Sequence, residues 1–198
     1  MNKELTKFYE QKASELRISV SRLRQKSRGF VAAEVGTFLV AIGFVVLYTL
    51  SSNAAWLLLF AALSVVLYLY IRHLDVKNDR RIRADEALLM VYEQELDYQK
   101  GDFGGFDAGE RYVNPQHAYT YDLDVFGQGS LFQRLNRTVS TGGSNQLAAC
   151  LSMEWGNEKG ENPVERIVQR RESIKELSSN EAFLSRFKSF GTKEKINT

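Results

Sequence analysis

The chain has 198 residues, and its 26 Lys and Arg against 24 Asp and Glu leave a formal net charge of +2, too small to argue for a nucleic-acid binder. A single cysteine, Cys150, excludes an internal disulfide and any multi-cysteine metal site. About a fifth of the chain falls in two apolar runs long enough to cross a bilayer, so part of it is expected outside water altogether.

Lys3–Arg28 reads as a helix. Tyr9, Ala13, Leu16, Val20 and Leu23 recur at alternating spacings of four and three, a seam suited to packing on another helix. Such a stretch fits either a stalk or a basic amphipathic helix lying on lipid headgroups. Phe8-Tyr9-Glu10 copies the Phe-x-Glu triplet of mismatch readers, but here it lies in a predicted helix and is read as coincidence.

Phe30–Leu50 then carries one charge, Glu34, and Ala54–Ile71 carries none. A hydrocarbon core of about 30 Å needs roughly 20 apolar helical residues, which both runs approach. Ser51-Ser52-Asn53 between them is short enough to force an antiparallel hairpin. Gly36 and Gly43, with Ala54, Ala61 and Ala62, suggest close helix packing. Arg17, Arg22, Arg24, Lys26 and Arg28 precede the hairpin, and Arg72, Lys77, Arg80, Arg81 and Arg83 follow it. The positive-inside rule therefore places both termini in the cytoplasm, with anionic lipid as the partner of the basic flanks. Glu34, about one turn in, is expected to reach headgroup water. The first run starts late and lacks a small-residue cleavage site, so it is expected to act as an uncleaved anchor.

Val76–Gln99 repeats the helical character, with Ala84, Ala87, Leu88, Val91 and Leu96 on one side. Its pairing with Lys3–Arg28 as an antiparallel stalk is the simplest expectation. Gly101–Gly109 reads as a glycine-rich linker; its Asp102-Phe103-Gly104 lacks the catalytic and glycine loops that would make it kinase-like. His117 is read as a surface or packing residue. Tyr119, Tyr121, Leu123 and Val125 alternate with Thr120, Asp122 and Asp124, which predicts one short half-buried strand over Tyr119–Phe126. Its aspartates are read as a solvated face.

Ser130 and Gln133 fit a capping box, with Leu131, Phe132 and Leu135 expected inward. Ser140 or Thr141 caps the next helix through Leu147, Ala148 and Leu151, where Gly142-Gly143 suggests tight packing. Asn162-Pro163-Val164-Glu165 opens another helix after the polar loop Gly156–Glu161, with Val164, Ile167, Val168, Ile174 and Leu177 as its buried stripe. Phe183, Leu184, Phe187 and Phe190 give a last apolar face, and Thr192–Thr198 is expected to fray.

The order of these pieces resembles the opening of the core domain in MutS-type mismatch-repair ATPases, and more closely the membrane-anchored MutS-related proteins of bacteria. The resemblance is carried by Gly129, Ser130 and Leu131; by Asn136, Thr138, Ser140 and Gly143; by Leu147 and Leu151; and by Ile167, Arg170, Ile174 and Leu177. It covers roughly a third of the chain and implies a helical lever that transmits nucleotide state in a larger ATPase. A full-length relative would use ATP and Mg. This chain carries no Walker A sequence, so no catalytic residue, cofactor-binding residue or metal ligand is assigned to it, and no small-molecule substrate is evident.

The expected fold is mainly α. It comprises a cytoplasmic amphipathic helix (1–29), a transmembrane hairpin (30–72), a stalk helix (73–100), a Gly-rich linker (101–117), a MutS-core-like helical segment with one strand (118–191) and a tail (192–198). The expected location is the bacterial inner membrane. Expected partners are the lipid bilayer and either another copy or an ATPase domain; DNA is left open. The alternative is a self-contained membrane assembly protein independent of ATP and DNA.

Overall fold

In the computed structural model, residues 3–51, 54–154, 163–192 and 196 are described. The Ser52 and Asn53 part of the expected turn, the loop Gly156–Glu161, the Asn162 cap and tail residues 193–195 and 197–198 lie outside them. The protein is mainly helical: α1 Lys3–Leu50, α2 Trp56–Gln99, a 3-10 turn Glu110–Tyr112, α3 Leu131–Leu135, α4 Thr141–Leu151, α5 Pro163–Ser178 and α6 Glu181–Ser189. It divides into two compact units, one of Glu15–Glu86 and one of Met1–Ser14 with Ala87–Thr198.

In the Glu15–Glu86 unit, α1 and α2 run antiparallel, because partners descend along one helix as they ascend the other. Ser19 donates to Asp85 at 2.7 Å, Ser27 donates to Asp75 at 3.0 Å, and the Phe44 ring stacks 5.7 Å from Phe60. The buried positions on this side of the pair, from Ala54 just before α2 and then within it, alternate by three and four: Ala54, Leu57, Ala61, Ser64, then Asp75, Asn78, Ile82. That is the spacing by which two helices keep one seam in contact.

The second unit is built around Val125, Phe126, Phe132 and Ala148, flanked by Tyr112, Tyr119, Leu147 and Leu151. Three rings pack as a triangle, Tyr112, Phe126 and Phe132, with centroids 5.4–5.6 Å apart. Gly109 makes this possible: its φ is +69°, and a Cβ there would meet the Phe132 ring at 2.6 Å. Ser130 Oγ accepts from Gln133 N, as the capping box predicts. The return bond differs: buried Gln133 accepts from Gly129 N and donates to the Phe106 carbonyl. Asn136 likewise donates to the Asp107 carbonyl, so the Gly-rich stretch is held by two side chains of the following segment. Ser140 caps α4 by accepting from Gly143 N.

Several expectations are corrected. The strand over Tyr119–Phe126 does not form; among the described residues there is no β-strand, only an isolated bridge between Ser140 and Ile196. The segment is a run of turns, with Leu123 N bonded to the Tyr119 carbonyl and Val125 N to the Thr120 carbonyl. Asp124 turns the chain in the left-handed region at φ +47°, where a short polar side chain is tolerated. Period-two alternation needs a partner strand to have meaning, and none is present among the described residues. Tyr121 and Leu123 are exposed while Thr120 is buried. Leu131 and Leu135 are half exposed, and Phe132 alone of the three is fully buried. The α5 stripe is not buried either: Val164, Ile167, Val168, Ile174 and Leu177 are 47–65% exposed. Within the tail, Ile196 is fixed by backbone bonds to Val139 and Thr141.

Candidate membrane-spanning hairpin

The feature that demands a functional explanation is the outer surface of the Glu15–Glu86 unit. Residues 30–50 and 56–71 lie in helices long enough for about 30 Å and about 25 Å of rise. Two helices of the protein are thus long and apolar enough to cross a membrane. Their side chains are exposed, not packed: Leu39 60%, Leu50 78%, Leu59 66%, Val66 62% and Leu69 60%. A core hairpin of a water-soluble domain would cover such residues, and an uncovered apolar surface of this extent exceeds the few hundred Å² that monomers leave in water.

Small residues let the backbones approach, and of those expected Ala54 and Ala61 take part while Ala62, Gly36 and Gly43 do not. Ala41, Ala54 and Ala61 are buried in the seam, whereas Ala62 is exposed and a Cβ at Gly36 or Gly43 would meet nothing within 4 Å. Both glycines therefore lie on the outer side of α1.

At the basic end of the pair the seam turns polar. Ser27 donates to Asp75, and Asn78 Nδ2 donates to the Leu23 carbonyl at 3.0 Å. Arg72 lies 3.7 Å from Glu34 and 3.6 Å from Asp75. Glu34 is thus tucked between the helices beside Arg72, and its Oε1 is buried without a hydrogen-bond partner. The spacing that makes residues 9–23 a seam, continued through Ser27, Phe30 and Glu34, would have placed it there. Asp75 and Asn78 were missed because charged and amide residues do not register as core in a hydropathy reading; the α2 seam register marks them. Beyond this layer, Arg22, Arg28, Lys77, Arg80, Arg81 and Arg83 are exposed.

The second unit holds one dense charge cluster. Buried Glu95 accepts from Arg137 Nε at 2.9 Å and Nη2 at 3.3 Å, and from Lys188 Nζ at 3.0 Å. The Arg137 guanidinium lies 3.6 Å from the Phe106 ring centroid and 4.5 Å from that of Tyr98. A cavity of about 190 Å³ adjoins it, lined by Glu95, Phe106, Asn136, Arg137, Thr138 and Lys188 among others. The carboxylate is neutralised and its oxygens occupied, so the cluster ties three chain segments together and offers no reactive group. Nearby, Tyr9 donates to Glu181 at 2.8 Å, as does Ser185 at 3.1 Å. Burial first, then the Glu181 hydrogen bond and charge, push the Tyr9 phenol well above its ordinary pKa and keep it protonated.

The remaining residues weighed for chemistry are scattered. His117 Nδ1 accepts from the backbone of Tyr119 and Thr120 and its ring packs edge-on against Tyr119. Asp122 and Asp124 are exposed on a turn, and Asp102 accepts from Gly104 N within its own loop. Phe8 sits in α1 against Tyr9 and Tyr92. Among the described residues no group of three His, Cys, Asp or Glu is placed to hold a metal ion. No family model matches the chain, and no curated protein or solved structure shows significant similarity to it.

Proposed function

We propose that this chain is a bilayer anchor joined to a helical module that transmits or receives conformational change and performs no chemistry itself. The observation that carries this is the uncovered apolar exterior of the α1–α2 pair, ended on one side by a polar seam and exposed basic residues. The membrane is taken to be the bacterial inner membrane, with both termini cytoplasmic, from the asymmetry of Lys and Arg. The expressed chain is expected to sediment with membranes after carbonate washing and to need detergent for extraction. Ser51→Cys, in a Cys150→Ser background, is expected to react with a membrane-impermeant maleimide in intact spheroplasts. A chain that stays in solution after carbonate overturns the anchor. Labelling only after lysis overturns the orientation.

The more specific form of the proposal is the lever-start of a MutS-like ATPase. Its support is the sequence resemblance, together with the way its residues work locally. Asn136 Oδ1 accepts from Thr138 N and Oγ1, the Thr138 and Ser144 hydroxyls lie 2.6 Å apart, and Ser140 caps α4. The repeated polar positions of the pattern thereby become one closed turn-and-cap. An ATP-binding Gly-x-x-x-x-Gly-Lys-Ser/Thr segment encoded beyond Thr198, or carried by a stoichiometric partner, is the expected companion. If neither exists and the chain alone is stable in cells, the self-contained assembly protein replaces this reading. Magnesium-dependent ATP hydrolysis by the purified chain would refute both.

A further inference from the structure

α5 touches α6, and Arg170 reaches Cys150 of α4 at 3.6 Å, but its apolar face lies open. None of its described side chains is buried or half-buried, yet Ile167, Val168, Ile174 and Leu177 are apolar and 47–60% exposed. An isolated helix of 16 residues is marginal in water, and most helical stability comes from packing an amphipathic face. Ile167, Ile174 and Leu177 keep the seven- and three-residue spacing by which a helix meets another helix.

The charges on α5 are sorted. At about 100° per residue, Arg171 falls between Ile167 and Val164 on the apolar half, and Lys175 falls beside Val168. Glu165, Glu172 and Glu176 fall within about 40° of one another on the opposite side. A second α5 laid against this face would bring arginine and lysine against their own kind. A lipid surface would draw the Arg171 guanidinium, set inside the apolar stripe, toward acyl chains where it is costly. A carboxylate-flanked helix meets both the stripe and its cations.

We infer that the exposed face of α5 is a docking surface for an amphipathic helix of a partner protein, one whose apolar seam is bordered by Asp and Glu. The inference stands on α5 alone and holds or fails independently of the bilayer anchor.

The test uses the full chain reconstituted in nanodiscs of zwitterionic lipid. Two labelled peptides of about three heptads serve as probes, each with Leu at the seam and flanked by Glu in one and Lys in the other. The Glu-flanked peptide is expected to bind saturably and about tenfold more tightly than the Lys-flanked one. Ile174→Asp, at an exposed position, is expected to keep the parent's circular dichroism and to abolish binding. Arg171→Glu with Lys175→Glu is expected to reverse the preference. Absence of saturable binding, or equal affinity for both peptides, overturns the inference. So does an α5 face that instead mediates self-association in sedimentation or binding to phosphatidylserine vesicles, lost in Ile174→Asp, without peptide binding.

Discussion

Three residues hold positions where a small change has a large expected effect, and each for a different reason. Gly109 combines left-handed backbone with a face-on approach to the Phe132 ring. Gly109→Ala is expected to lose about 2–4 kcal/mol, combining the backbone cost with overpacking, read from denaturation of the detergent-solubilised chain by circular dichroism. Glu95 neutralises Arg137 and Lys188 in a mostly buried cluster. Its replacement by Ala leaves two cations uncompensated, and a loss of about 3 kcal/mol is expected in the same assay. Tyr9 tests the sign of a linkage. Its folded pKa is raised, so its contribution is fully present below the unfolded phenol value of about 10 and is lost as pH rises beyond it. The parent should lose more stability between neutral pH and pH about 11 than Tyr9→Phe does; equal losses would show that the buried phenol does not matter. None of these roles was legible in the sequence. Gly109 looked like one glycine of a linker, Glu95 like an ordinary helix residue and Tyr9 like a seam residue with no polar role, because their partners lie far away along the chain.

At the scale of elements, what the sequence showed well is what depends on neighbours. The caps at Ser130 and Ser140 formed because a hydroxyl three residues before a free amide needs nothing else. The helical character of α1 and α2, and the seam spacing of α1, followed from periodicity over many residues; on α2 the side named from Ala84 to Leu96 did not give the seam, which runs through Asp75, Asn78 and Ile82 while Ala84 is exposed. What failed depended on a partner element: the Tyr119–Phe126 alternation, the inward assignment of Leu131 and Leu135, and the burial of the α5 stripe. A pattern of apolar residues says that a face wants covering, not what covers it or whether the cover is present. The corrected assignment has consequences. Phe132→Asp is expected to unfold the Val125–Phe132 core, by several kcal/mol. Leu177→Asp, on an exposed face, should change the melting of the chain by less than about 1 kcal/mol. A large effect at Leu177 would mean that α5 is covered in solution. For the helical pair, Ser19→Cys with Asp85→Cys in a Cys150→Ser background should be joined by a short bifunctional thiol reagent, since the native side chains touch at 2.7 Å. Absence of that crosslink would overturn the antiparallel register.

At the scale of the molecule, the candidate site was the most legible feature of all, since length and apolarity alone mark two helices able to cross a bilayer. The polar layer beneath them was not. Asp75 and Asn78 sit in the seam, one held by Ser27 and the other holding the Leu23 carbonyl. Slippage of one helix past the other by a single turn, about 5.4 Å, would strand both groups away from their partners in a poorly solvated place. Such a fastening removes sliding from the motions open to the pair. A push or pull applied at the polar end of either rod is then shared by both, and the hairpin moves as a single strut.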